Sequence, residues 1–300
     1  MRWACVVVGL VFAACGVAGA GSAADPFAYS AGAPLDIRTG PSRVTGGLRI
    51  TKLTYASPRG GRVPAVVVAP AQVGGLHPGL LVQHSFSTFK EDFLEVAEDF
   101  AQLGAIVVLI DAPIARGGGP RVTFTRRDRD DQIQLIVDLR RAVDLLRARS
   151  DVDVARIAYL GSSYGGAMGG LLAGVEHRIR GFVLMVGDGG LVQHFTGPED
   201  RAGPFLTLPA ARRRRWLAAM TPIEPLRWVR KATAPLLFLN ARYDEFVPPR
   251  DARAYQRAAP QPKEIHWYDS GHRLPPEAWC DAARFLERRI GIPANEHPSC

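Results

Sequence analysis

The chain has 300 residues, 47% hydrophobic and 22% charged, a balance that suits one large core-forming domain or two small ones and excludes a disordered or low-complexity protein. Its formal net charge of +8 rests mostly on arginine, with the densest run at Arg212–Arg215. No recognisable nucleic-acid module surrounds that run, so it reads as a solvated helix face or a patch toward an anionic cell surface, and nucleic-acid binding is not expected.

The first residues have the pattern of an export signal. Arg2 gives a positive end, Ala4 to Ala20 is almost wholly apolar, and Ser22-Ala23-Ala24 puts small residues where a signal peptidase cuts. An uncleaved anchor is the alternative, since the stretch is long enough to span a bilayer; its Gly, Ala and Ser content favours cleavage. Phe12-Ala13-Ala14-Cys15 also resembles a lipoprotein box, so membrane contact is expected only if Cys15 is lipidated. Of the four cysteines, Cys280 and Cys300 would remain after cleavage near Ala24. Export permits a disulfide between them that closes a C-terminal loop; the alternative is one buried and one terminal thiol. No Cys/His cluster suggests a structural metal.

Residues Asp25 to Gly47 are rich in Pro, Gly and Ser and read as an extended lead-in to a domain over residues 48–300. Seven short apolar runs then predict strands: Val63–Ala69, Gly79–Gln83, Ala105–Asp111, Arg156–Leu160, Gly181–Val186, Pro235–Asn240 and Glu264–Tyr268. Their nearly continuous hydrophobicity suits strands covered on both faces. Between them, apolar residues recur at helical spacing in Glu91–Leu103 and Gln132–Arg149, and further helices are expected over Tyr164–Ala173, Pro249–Arg257 and Pro276–Arg289. This alternation predicts a mostly parallel, doubly wound sheet of about eight strands with helices on both faces. Gly187–Ala234 breaks the rhythm, its five prolines interrupting any long helix. Such an insertion is expected to cover a pocket at the strand C-termini as a cap.

Gly161-Ser162-Ser163-Tyr164-Gly165-Gly166 lies between a predicted strand and a helix of small residues. That context is required of a nucleophile elbow, in which a strained turn lifts a serine hydroxyl off the sheet. Ser162 is the competing hydroxyl but holds the wrong place between the glycines, which leaves Ser163. A serine needs a general base, and the base needs an orienting group. Asp244 follows the strand Pro235–Asn240, and His272 follows Glu264–Tyr268, so each lies in a loop past a strand end. Glu245 and Asp188 are alternative acids. His266 and His297 lie within a strand and in the tail, which favours His272 as the base.

From roughly Leu53 to Arg289 the chain resembles the α/β-hydrolase superfamily, in particular its dienelactone-hydrolase-like and acyl-esterase branch. The matching pieces are Val63-Pro64-Ala65, Gln83-His84, Gly161 to Gly166, Asn240 to Val247 and Ser270-Gly271-His272. Ser-Tyr-Gly-Gly also resembles prolyl-oligopeptidase-type peptidases, but the chain has no room for their propeller. The resemblance implies hydrolysis of a small-molecule or polymeric ester through Ser163, Asp244 and His272, with neither metal nor organic cofactor. It also implies an oxyanion hole formed by the N–H groups of Tyr164 and, from the loop His84-Ser85-Phe86-Ser87, of Phe86, with Ser85 second. Where the family commonly has glycine after the histidine, this chain has Ser85. Phe86, Phe89, Tyr164, Phe195 and Trp216 are candidates for contact with an acyl group; ordinary core packing is their alternative role.

Overall fold

The structure is a computed structural model that describes residues 25–72, 74–117, 119, 121–197 and 203–300; the predicted leader, with Cys5 and Cys15, lies outside them. Nine strands form one sheet: β1 Arg38–Thr45, β2 Leu48–Ala56, β3 Arg62–Pro70, β4 His77–Gln83, β5 Ile106–Ile110, β6 Val152–Ser162, β7 Phe182–Met185, β8 Leu236–Ala241 and β9 Lys263–Tyr268. Their order is β1-β2-β3-β5-β4-β6-β7-β8-β9. From β5 across to β9 every pairing is parallel, whereas β1, β2 and β3 form an antiparallel flap joined to β5.

The helices are α1 Leu94–Gln102, α2 Arg126–Arg147, α3 Tyr164–Ala173, α4 Leu191–Thr196, α5 Gly203–Leu206, α6 Ala210–Met220, α7 Pro225–Trp228, α8 Pro249–Ala258 and α9 Pro276–Ile290. Successive strand residues point to opposite faces, so the core falls into two layers. On one face Val66, Val68, Val107 and Leu109 pack with Phe100 of α1 and Phe285 of α9. On the other Val67, Val108 and Ile110 pack with Ile136 of α2, Leu171 of α3 and Tyr255 of α8. Double-sided burial explains the continuous apolar runs in β4 and β5. Each fully buried Val, Leu or Ile contributes about 1.5–3 kcal/mol of transfer free energy.

The segment read as a lead-in is more than that. It carries β1, all of whose residues are exposed, and the turn to β2 is made by Gly46 and Gly47 at φ 55° and 79°. Positive φ at both central residues is the geometry of a two-residue hairpin, which glycine adopts without a Cβ clash. Upstream, Phe27 is fully buried, with its ring 4.9 Å from that of Trp228. Arg140 and Arg141 of α2 donate to the carbonyls of Phe27 and Ala31 at 2.8 and 3.0 Å. The segment from Asp25 is therefore packed on the domain rather than leading into it.

Cys280 of α9 and Cys300 are joined by a disulfide. The interval expected to form a cap holds α4 to α7, the short helices that its prolines allow. Among the described residues, no helix is long and apolar enough to cross a membrane.

Candidate active site

β6 enters the turn at Ser162 and α3 leaves it at Tyr164, which puts Ser163 at the junction with φ 54° and ψ −112°. This is sparsely populated backbone for a residue with a side chain. The surroundings hold it there: Ser163 N–H donates to Met185 O at 2.8 Å, and Ala167 N–H donates to Ser163 O at 2.9 Å. A Cβ on Gly161 would stand 2.3 Å from Gly165 O, and one on Gly165 would stand 2.3 Å from Gln83 O. Glycine is required at both positions because strand and helix backbones meet there.

The loops after β8 and β9 are laced together beyond the sheet. Arg242 N–H donates to Tyr268 O and Tyr243 N–H to Ser270 O, at 2.9 and 3.0 Å. Lacing brings Asp244 beside His272, whose Nδ1 lies 2.9 Å from both carboxylate oxygens. Asp244 is buried, and its Oδ1 also accepts the N–H groups of Phe246 and Val247 at 2.9 and 2.8 Å. With Nδ1 donating to a carboxylate, the imidazole presents Nε2 as its acceptor. Glu245, the neighbouring alternative acid, accepts the backbone N–H of His272 instead. Asp188, after β7, is committed to Nδ1 of His194 at 3.0 Å and to Gly190 N–H at 2.8 Å.

Ser163 and His272 open onto one cavity of about 550 Å³. Its wall includes Tyr164 and Ala167 of α3, Phe86 and its neighbours Ser85, Ser87 and Thr88, and Phe246 and Val247 after β8. The interval Gly187–Ala234 contributes Asp188, Leu191, His194 and Phe195. Of the four acyl-contact candidates outside the elbow, Phe86 and Phe195 line this cavity, and Phe89 and Trp216 do not. Phe89 is 42% exposed and lies outside the lining. Trp216 is 2% exposed and packed among Phe124, Phe205 and Phe195, with its Nε1 donating to Asp128 at 2.7 Å. It supports the wall behind Phe195 rather than forming it.

Tyr164 is the first residue of α3, so its N–H has no intrahelical acceptor. Phe86 N–H makes no hydrogen bond among the described residues, and the Phe86 ring meets the Tyr164 ring edge-on at 5.8 Å. The loop between them and β4 is tied at both ends. His84 is fully buried: its Nε2 accepts Ala112 N–H at 3.0 Å, so its proton sits on Nδ1, 2.6 Å from Ser85 O. Burial holds the His84 pKa below the usual histidine value. At the other end, Lys90 N–H donates to Asp111 Oδ1 at 3.0 Å, and the ammonium meets Oδ2 at 2.6 Å. Neither Asp111 nor Lys90 belongs to a recognisable motif. The visible signal was an acidic residue closing the apolar run Ile106–Ile110, opposite a lysine six residues beyond His84.

No family model matches the chain, and no curated protein matches it. Solved structures do. An acetyl xylan esterase from Paenibacillus sp. R4 superposes with a TM-score of 0.70 at 22% identity, over 86% of this chain and 90% of that one. Acetyl xylan esterase 1 from Thermoanaerobacterium sp. JW/SL YS485 gives a TM-score of 0.72 at 18% identity, over 88% and 90%. A dienelactone hydrolase from Klebsiella pneumoniae, so described provisionally, gives 0.58 at 17% identity, over 80% and 98%. At these identities the shared property is the fold, and it extends over most of each chain. With its mostly parallel sheet, its strand–serine–helix elbow and these neighbours, the chain has the α/β-hydrolase fold.

Proposed function

We propose that the chain is an exported serine hydrolase that cleaves carboxylic esters through an acyl-enzyme on Ser163. The observation that carries this reading is His272, held by Asp244 at 2.9 Å and opening onto one cavity with a serine on a strained elbow. Ser163 Oγ attacks the ester carbonyl while His272 Nε2 takes its proton, and Asp244 stabilises the imidazolium. The N–H groups of Tyr164 and Phe86 hold the tetrahedral oxyanion. Its collapse expels the alcohol, which takes the proton from His272. Water, activated by the same imidazole, then releases the acid. The reaction needs no group beyond these residues and water.

The apolar side chains Phe86, Leu191, Phe195, Phe246 and Val247 favour an acyl or alkyl portion, and the volume suits a small-molecule ester or one unit of a polymeric ester. Export rests on the positive, apolar and small-residue pattern of residues 1–24. The test is hydrolysis of short p-nitrophenyl esters by purified protein, with matched anilides alongside. Wild type is expected to turn over the esters and to react with a fluorophosphonate, and Ser163→Ala to do neither. Unchanged ester hydrolysis in Ser163→Ala refutes the assignment. Faster turnover of the anilides reassigns the chain to amide bonds. Failure of wild type to react with either probe makes the fold a binding scaffold.

A further inference from the structure

Residues Ser85 to Thr88 form one wall of the cavity, and their loop carries the N–H proposed as second oxyanion donor. It lacks the glycine expected there, and among the described residues its one hydrogen bond to the elbow is a long one, Ser85 Oγ donating to Ser162 O at 3.3 Å. Its position depends on what holds its two ends. Both are tied to one dipeptide at the C-terminal end of β5, the strand beside β4. Ala112 N–H is donated to His84 Nε2 before the loop, and the Asp111 carboxylate takes both the N–H and the ammonium of Lys90 after it. Asp111 and Lys90 are both buried, so the pair is shielded from water and its geometry is fixed. The Asp111 carbonyl is held in turn by Arg116 Nε at 2.9 Å, and Arg116 bonds the fully buried carboxylate of Asp138 at 2.8 Å. The chain of contacts runs from the core helix α2 to the loop without a gap.

We infer that Asp111 is a positioning residue for the oxyanion loop: by clamping Lys90 it fixes where the Phe86 N–H points in the cavity. The inference rests on the reading of Ser163 as an acyl-transfer nucleophile. Asp111 does not touch substrate. Its effect falls on the transition state, because an N–H displaced by a fraction of an ångström still allows binding but no longer meets the oxyanion.

Asp111→Asn keeps an acceptor for the Lys90 N–H but removes the nearer of the two carboxylates on the ammonium, at 2.6 Å against 3.1 Å for Glu91. Expected is a fall in kcat of about 10²-fold per titrated active site, with KM changed less than about threefold. Inhibition by phenylboronic acid, which becomes tetrahedral on bonding to a serine oxygen, should weaken by a similar factor. Lys90→Met should show the same pattern and Lys90→Arg should restore most of it, so the inference stays testable if Asp111→Asn does not fold. A merely structural clamp would lower the melting temperature and the fraction of titratable sites but leave kcat per site and boronate affinity unchanged. That outcome overturns the inference. If wild type itself hydrolyses no ester and binds no boronate, the Ser163 reading fails and this inference falls with it.

Discussion

The sharpest test of the site is Asp244→Asn. The side chains are nearly isosteric, and the amide oxygen can keep the N–H groups of Phe246 and Val247, now 2.9 and 2.8 Å from Oδ1. The loop should therefore keep its shape. What changes is the atom facing His272. Both carboxylate oxygens now lie 2.9 Å from Nδ1, and an asparagine places its NH₂ at the position of Oδ2. An NH₂ group must donate, so Nδ1 becomes the acceptor and the proton moves to Nε2, the nitrogen that should receive the Ser163 proton. The imidazole then starts in the wrong tautomer, and no carboxylate stabilises the imidazolium. A fall in kcat of about 10⁴-fold is expected, equivalent to about 5.5 kcal/mol of lost transition-state stabilisation. The assay is p-nitrophenyl acetate hydrolysis with purified protein, alongside circular dichroism and thermal melts to show that the fold is kept. Activity within tenfold of wild type refutes the assignment. If Asp188→Asn loses more than Asp244→Asn, the orienting acid belongs to the loop after β7 instead.

Two further predictions concern stability. Cys280 and Cys300 close a loop of sequence separation 20, and loop-closure entropy values that crosslink at about 3 kcal/mol. Cys300→Ser should lower the melting temperature by roughly 5–10 °C, and reductant should bring wild type to the same value; coincident melts without reductant refute it. His84 is buried in its neutral form with its pKa held down by desolvation, while Asp111 and Asp92 nearby act the other way and Lys90 with it. Because the folded value lies below the unfolded value of about 6.5, the unfolded chain binds more protons between the two. The stability that His84 contributes is thus fully present above about pH 6.5 and is lost as pH falls toward the folded value. The unfolding free energy of wild type relative to His84→Gln should shrink between about pH 7.5 and pH 5 in urea titrations. A constant or widening difference refutes this, and the comparison cancels carboxyls such as Asp138 and Glu224, whose raised pKa values act with the opposite sign.

What the sequence reveals and conceals follows from where the constraints lie. Strands β3 to β9 were legible because all but β9 are buried on both faces, and β6 through α3 because only a serine flanked by glycines fits the elbow. The two outer flap strands, β1 and β2, are not marked by a continuous apolar run, for different reasons. β1 is exposed along its whole length, so no apolar pattern marks it, and its strand character comes from the ladder to β2 and the Gly46-Gly47 turn. β2 buries Leu48 and Ile50, then Leu53 and Tyr55, so its alternation changes phase midway and leaves no continuous apolar run in the sequence.

Side-chain roles show the same division at finer scale. The meeting of Asp244 with His272 was legible because the strand order dictates which loops meet, and a parallel sheet gathers its C-terminal loops on one side. Trp216 was not, because its environment depends on Asp128 in α2, a partner 88 residues away that periodicity does not encode. Lys90 and Asp111 are a harder case. Strand alternation makes β4 and β5 neighbours, yet whether the ammonium reaches the carboxylate depends on the turn at Phe89 and the short helical turn Lys90–Phe93 that follows. Motifs are legible where chemistry fixes the residue type at the reacting atom. The groups that hold such motifs in place are free to differ between chains, provided that the hydrogen bonds close, so they become visible only when coordinates bring distant residues together.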